Sequence, residues 1–247
     1  MTGSSIKANS PLTVLREEGD VRLDSGTPGR VSLSLGPDAA AAFLVLQDEA
    51  DAGLTETDFD IRLAAGASLE MVFLSLQGEV LRNRIRVSLD GERASCDLSG
   101  LCLGGGTQQR DFDILLTHQV PSCRSTQLFK SILGGGSVAH FDGLIKVVPD
   151  AQKTEAYQAN HNLLVSDAAR AHTRPQLEIY ADDVKCSHGA TVGRLNPDEL
   201  FYMRSRGITL EEARLLQQLA FADEVLEKIP DAQWREKMRF LVEKRLR

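Results

Sequence analysis

The sequence lacks the features that mark several large classes of protein. Its 247 residues carry a net charge of −7, whereas a general nucleic-acid binder usually shows a basic excess. The longest apolar run, Ala39–Leu46, has eight residues, far fewer than the roughly 18 that a membrane-spanning helix needs. The first residues also lack the apolar core of a signal peptide. These absences predict a cytoplasmic protein that binds neither nucleic acid nor membrane.

Several motifs of catalysis and metal binding are missing as well. There is no GxxxxGK[ST] phosphate loop, no HExxH motif and no CxxC pair. The four cysteines are too sparse for a disulfide framework, so each is either a buried small side chain or a functional thiol. Burial is the expectation for Cys96, Cys102 and Cys123. Aromatic residues make up only 5% of the chain, so small aliphatic side chains should fill most of the core.

What the sequence does contain, from about residue 11 to residue 193, is a series of short alternating runs. A period of two between apolar and polar residues is typical of β-strands. The runs are Val31–Leu35, Phe59–Leu63, Asn83–Leu89, Ala94–Leu98, Phe112–Thr117, Val138–Val147 and Gln176–Tyr180. Many short strands separated by turn residues indicate a sandwich, a barrel or a solenoid, and the pattern does not choose among them. We therefore predict a mainly β core over residues 11–193, after a disordered N-terminus of residues 1–10.

Residues 194–247 have the pattern of a small helical unit. Asn196–Pro197 is a favourable helix start, and that helix should end at Gly207. Thr209–Glu212 is a capping box that predicts a second helix to about Lys228. Asp231 can cap a third helix after Pro230. This last segment is rich in Lys and Arg, which we interpret as a solvated helix face.

The pair Cys186 and His188 contains the side chains best suited to bind a metal. They lie two residues apart in an extended segment, so a strand would direct both to the same side. Thiolate and imidazole are suitable ligands for iron or an iron–sulfur cluster. Two ligands do not complete a site, however, and spacing alone favours a buried cysteine beside a hydrogen-bonded histidine.

A longer block of sequence carries a resemblance to a known family. Lys153–Gly207, which includes DDVKCSHGATVG, is similar to the SufB/SufD family of iron–sulfur cluster assembly scaffolds, and the similarity extends from about Glu79 to Ile229. The resemblance implies a right-handed parallel β-helix, which is a β-solenoid, followed by a small C-terminal α-helical unit. Asn160 and Gly189 stand where SufB-like members carry a cysteine and a glutamate, which indicates the SufD branch.

The resemblance also implies a function and a set of partners. It predicts a non-catalytic scaffold subunit that pairs with SufB and binds the ATPase SufC through residues 194–247. Cys186 and His188 would be ligands in an iron or iron–sulfur cluster site shared with SufB, occupied transiently in the complex and not tightly in the isolated chain. The residues expected to contact SufC are Asn196, Leu200, Phe201, Arg204, Arg206 and Phe221.

Two other functions fit the same fold. A β-helix can also be a carbohydrate-active enzyme, which would need a convergent pair of carboxylates. An isolated SufD-like chain could instead form a homodimer that does not build clusters on its own.

Overall fold

The computed structural model describes residues 12–25, 27, 29–50 and 53–247. The N-terminal disorder predicted for residues 1–10 lies outside these described residues. Within them the chain forms fourteen β-strands followed by three α-helices. The strands are β1 Leu12–Glu18, β2 Val21–Asp24, β3 Arg30–Leu35, β4 Ala40–Asp48, β5 Leu54–Leu63, β6 Ser68–Gln77, β7 Val80–Leu89, β8 Ser95–Gly104, β9 Gln109–His118, β10 Arg124–Leu133, β11 Val138–Val147, β12 Glu155–Leu164, β13 Arg170–Ile179 and β14 Lys185–Arg194. The helices are α1 Pro197–Ser205, α2 Leu210–Leu226 and α3 Ala232–Leu246.

The strands form two seven-stranded sheets, and from β3 onward successive strands alternate between them. We call the sheet ordered β1-β4-β6-β8-β10-β12-β14 sheet A and the sheet ordered β13-β11-β9-β7-β5-β3-β2 sheet B. The pairs β1–β4 and β2–β3 are antiparallel, whereas the later neighbours are parallel, as for β10 with β8 and β12. A chain that winds between two parallel sheets, coil upon coil, is a β-solenoid. The predicted fold class is confirmed.

The corners before five of the sheet A strands repeat one backbone turn. A residue two positions before the strand has a φ between 56° and 68°, in the left-handed region. These residues are Asp38, Gly66, Arg93, Ser122 and Lys153, before β4, β6, β8, β10 and β12. The residue that follows each of them is small and buried, namely Ala39, Ala67, Ala94, Cys123 and Thr154. Cys123 is therefore the small corner residue of its coil.

Apolar side chains from both sheets fill the space between them. Five of the nine phenylalanines form a continuous stack, with ring centroids 4.9–6.5 Å apart. They are Phe59, Phe73, Phe112, Phe129 and Phe141. Gly100, the register partner of Phe129, makes room for this stack, because a Cβ there would lie 2.4 Å from the Phe129 ring. The stack lies among the aliphatic side chains that fill the rest of this core.

Helices α2 and α3 cover the outer face of sheet A. Leu74, Leu101 and Ile132 from the sheet form one apolar cluster with Leu226 and Val242 from the helices. A bidentate ion pair joins the guanidinium of Arg245 in α3 to the carboxylate of Asp48 in β4, with both N–O distances 2.9 Å. Helices α2 and α3 are therefore attached to the solenoid by apolar contacts and by an ion pair.

The helix starts follow the capping signals of the sequence. The side chains of Asn196, Thr209 and Asp231 each accept a backbone hydrogen bond from the first turn of α1, α2 and α3. Helix α2 ends at Leu226, two residues before the predicted end at Lys228. None of the helices in the described part of the chain combines the length and apolarity needed to cross a bilayer.

Candidate functional site

The solenoid ends in two strands that have a neighbour on one side only. Within the described residues, β14 pairs with β12 alone and β13 pairs with β11 alone. We call these two strands the terminal edge. Large apolar side chains are exposed on or beside it, namely Tyr157, Val165, Ile179, Tyr180 and Val192. Unpaired backbone groups beside exposed apolar side chains are typical of a surface that another chain covers.

Strand β14 directs Cys186 and His188 toward the interior side of the terminal edge. Their register partners on β12 are Ala156 and Gln158, and both of those side chains are buried. Cys186 is half-buried and packs against an apolar cluster that includes Ala156. His188 is exposed. The two side chains therefore share one face, with Cα atoms about 6–7 Å apart by strand geometry.

The protonation of the Cys186 thiol affects how readily it can bind a metal. Burial raises the pKa of the Cys186 thiol, and a backbone hydrogen bond from Ala156 partly offsets this rise. The thiol therefore keeps its proton at neutral pH, and a metal ion would have to displace that proton. No group of three or more His, Cys, Asp or Glu side chains is placed to hold a metal in the described ranges. The chain supplies two possible ligands at this edge and not a full set.

The interior of sheet A changes from apolar to polar toward the terminal edge. One inward row of register partners ends at His188 and shows the change. From the first parallel coil to the last, it contains Phe43, Met71, Leu98, Gln127, Gln158 and His188. The buried amides of this row were not predicted from the sequence, although Gln and Asn at inward positions of a strand were a signal for them.

Asn160 lies in the next inward row and is also a buried amide. Its Nδ2 donates to the carbonyl of Phe129 at 3.2 Å, and its Oδ1 accepts from Asn162 Nδ2 at 2.7 Å. The position that the family resemblance singled out is therefore occupied by a hydrogen-bonded core residue.

A cavity of about 660 Å³ opens between α1, α2 and the ends of β12 and β14. Its lining is mainly apolar and includes Leu163, Leu195, Tyr202, Met203, Leu216 and Phe221. Tyr202 and Leu216 are exposed. Tyr202, Met203 and Leu216 were not predicted from the sequence, although Tyr202 and Met203 directly follow Phe201 on α1, which was predicted to contact a partner.

The structure separates the six residues predicted to contact SufC into two groups. Asn196 and Phe221 line the cavity. Asn196 also joins α1 to α2, because its backbone N–H and C=O each hydrogen-bond the Gln217 side chain at 3.1 Å. Leu200, Phe201, Arg204 and Arg206 do not line the cavity. Leu200 is half-buried, whereas Phe201, Arg204 and Arg206 are exposed.

The outer face of sheet B carries many carboxylates, which is where a carbohydrate-active site would be sought. Four of them, Asp58, Asp111, Asp113 and Asp142, are engaged by basic side chains. The pairs are Asp58–Arg84, Asp111–Arg82, Asp111–His140, Asp113–Arg86 and Asp142–Arg174. The face is a network of exposed ion pairs that crosses neighbouring strands.

Comparison with protein-family models identifies the class of protein to which this solenoid belongs. The model described as SUF system FeS cluster assembly, SufBD core domain, matches residues 5–221. The chain belongs to this family, as the resemblance predicted.

Relatives within the family show which members the chain is similar to. It is 41% identical over 172 residues to the iron–sulfur cluster assembly protein SufD of Escherichia coli K12, an alignment that covers 70% of this chain and 41% of that protein. A SufBD family protein of Synechocystis is 37% identical over 169 residues, which cover 68% of this chain and 37% of that one. The chloroplastic protein ABCI7 of Arabidopsis thaliana is 37% identical over 182 residues, which cover 72% of this chain and 38% of that one. The chain therefore spans about two fifths of the length of these curated relatives.

Proposed function

We propose that this chain is a non-catalytic scaffold of iron–sulfur cluster assembly that supplies half of a site at its terminal edge. The observation that carries the proposal is the placement of Cys186 and His188 on one face of β14, a strand that has a neighbour on one side only. Because two ligands cannot hold a cluster alone, the remaining ligands come from the chain that covers this edge. Iron or an iron–sulfur cluster is transient cargo there, and the isolated chain holds none tightly.

The partner at the terminal edge is SufB. Parallel strands that end a solenoid can be continued by strands of another solenoid, whose backbone groups pair with theirs and whose apolar side chains cover the exposed ones. Tyr180 and Val192, which are 58% and 49% exposed, would then be buried. In the absence of SufB, a second copy of this chain would cover the same edge, forming a homodimer without cluster-building activity.

The ATPase SufC binds the helical unit. The cavity between α1 and α2 offers an apolar surface with exposed Tyr202 and Leu216, and Phe201, Arg204 and Arg206 surround it with further exposed side chains. Such a mixture of apolar cavity and exposed aromatic and arginine residues is typical of protein interfaces. ATP could shift the complex only by favouring one arrangement of its subunits over another.

The test is anaerobic reconstitution of the chain with SufB and SufC. We expect His188→Ala to lower the iron and sulfide content of the complex at least tenfold, because one ligand of the shared site is lost. Folding should not change, since the side chain is exposed and its removal leaves no cavity. The measurement is iron and sulfide analysis together with the visible absorption of the cluster.

The matched control is His172→Ala. His172 is also a histidine of the terminal edge, but its ring stacks on His140, 5.0 Å away, on sheet B. This variant should load as the wild type does. Wild-type loading of the His188→Ala complex would contradict the proposal. Light scattering of the isolated chain checks the homodimer, and a monomer at micromolar concentration would contradict that part.

A further inference from the structure

Two buried amides beside the terminal edge are only half satisfied. Gln127 and Gln158 are each 3% exposed, and Gln158 Nε2 donates to Gln127 Oε1 at 2.9 Å. Their other polar atoms, Gln127 Nε2 and Gln158 Oε1, have no hydrogen-bond partner among the described residues. A buried polar atom without a hydrogen-bond partner destabilises the fold. Leu98 fills the same row one coil earlier, so the fold accepts an apolar side chain in this row.

The opposite sheet holds the Gln158 amide in place. A Cβ at Gly143 of β11 would lie 2.5 Å from Gln158 Nε2. The neighbour of Gly143 on the previous coil, Ile114, carries a full side chain. The missing side chain at Gly143 therefore makes the space that the amide occupies. With Gln127 on one side and Gly143 on the other, the Gln158 amide is fixed before any partner arrives.

His188 is the next residue after Gln158 along the row, on the side of the terminal edge. Gln158 and His188 are register partners on adjacent parallel strands, about 4.8 Å apart, and both face the interior side. A histidine that binds a metal through one ring nitrogen almost always donates its other ring N–H to a carboxylate, a carbonyl oxygen or water. A chain covering the terminal edge excludes water from His188, so an internal acceptor is then needed.

We propose that Gln158 is a positioning residue for His188, and that its free Oε1 accepts the ring N–H of His188 when the other ring nitrogen binds metal. The oxygen that lacks a partner in the isolated chain gains one in the loaded complex. This contact fixes which ring nitrogen carries the proton and which one faces the metal. The inference rests on the proposed function, because it needs His188 to be a ligand.

The test uses the complex with SufB and SufC and Co²⁺ as a spectroscopically visible substitute for Fe²⁺. We expect Gln158→Leu to weaken Co²⁺ binding by about 10- to 100-fold, the usual effect of losing such a supporting contact. A modest fall in melting temperature is expected, since the substitution removes the unpaired Gln158 Oε1 but also leaves buried Gln127 Oε1 without its donor. Gln158→Glu, which keeps an acceptor oxygen, should retain the wild-type affinity and cobalt spectrum.

The matched control is Asn162→Leu. Asn162 is a buried amide on the same strand, but its register partner on β14 is Val192. It should therefore alter stability and leave Co²⁺ affinity unchanged. A structure of the Co²⁺-loaded complex would show the contact directly. We expect Gln158 Oε1 within about 3.2 Å of a His188 nitrogen.

The outcomes separate this inference from the proposed function. If His188→Ala abolishes Co²⁺ binding while Gln158→Leu binds as tightly as the wild type, the positioning role is wrong and the shared site stands. A loaded structure without the Gln158–His188 hydrogen bond would overturn the positioning role in the same way. If His188→Ala binds Co²⁺ normally, both proposals fail together.

Discussion

Sheets A and B contain the same number of strands but bury them differently. The central strands of sheet A lie between the phenylalanine stack on one side and helices α2 and α3 on the other. The strands of sheet B have the same core on their inner side and solvated ion pairs on their outer side. One solenoid therefore contains both a doubly buried sheet and an amphipathic one. Stability should depend on outer-face residues in sheet A and hardly at all in sheet B.

The largest effect on this comparison should come from the helix side of sheet A. Leu226 of α2 is fully buried in the cluster between helices and sheet. Leu226→Ala should lower the free energy of unfolding of the helical unit by about 2–5 kcal/mol, through lost burial and a residual cavity. Trp234 is the only tryptophan and lies in α3 beside this cluster, so its fluorescence during denaturation reports on that unit.

Leu216→Ala is the control on the same helix. Leu216 is 43% exposed, so its loss should cost less than about 1 kcal/mol. If the two variants shifted the Trp234 transition equally, the outer face of sheet A would not be a buried interface.

An intermediate effect should come from a residue that joins the two sheets. His118, at the end of β9 in sheet B, is buried and its Nε2 lies 2.9 Å from Ser125 Oγ of sheet A. Burial lowers the pKa of His118 to about 4, from 6.5. The unfolded chain therefore binds one more proton than the folded chain between these pH values. The free energy of unfolding is unaffected above pH 6.5 and falls by about 3 kcal/mol as the pH drops to 4.

His118→Leu should remove this loss. The free energy of unfolding is measured by urea titration at several pH values. Between pH 4 and 6.5 its slope against pH should be about 1.4 kcal/mol per pH unit smaller in the variant than in the wild type. The slope is the readout, so a constant change in stability from the substitution does not matter. Parallel curves for wild type and variant would show that His118 titrates normally in the fold.

The smallest effect should come from the outer face of sheet B. Arg84 is 58% exposed and lies 2.9 Å from Asp58 and 3.8 Å from Asp113. Arg84→Ala should cost less than about 1 kcal/mol, because exposed ion pairs gain little over solvated charges. The difference should shrink further in 1 M salt. A larger cost that persisted in salt would mean that sheet B depends on its outer face as sheet A does.

The same difference in burial explains which strands the sequence predicted. Phe59–Leu63 and Phe112–Thr117 alternate between apolar and polar residues because sheet B has one buried and one solvent-exposed face. Ala39–Leu46, the longest apolar run, is largely strand β4 of sheet A, and it does not alternate because both of its faces are buried. Periodicity thus detected sheet B well and sheet A poorly, and the solenoid itself followed from the family resemblance.

The sequence likewise predicted only part of the candidate site. Cys186 and His188 stand two residues apart, so strand geometry alone placed them on one face. Gln127, Gln158 and Gly143 could not be connected to them, because register partners on successive coils lie far apart in the sequence. Only the stacking of the coils brings these residues together.

The repeated left-handed corner separates the length of a coil from the alignment of its strands. The corner residues stand at positions 38, 66, 93, 122 and 153, so successive coils differ in length, yet β8, β10, β12 and β14 pair along all ten residues without a shift. The later strands keep their length and register, so the extra residues of the longer coils lie in the loops between strands. Insertions and deletions in those loops can therefore accumulate between relatives without moving a single residue of the row that leads to His188.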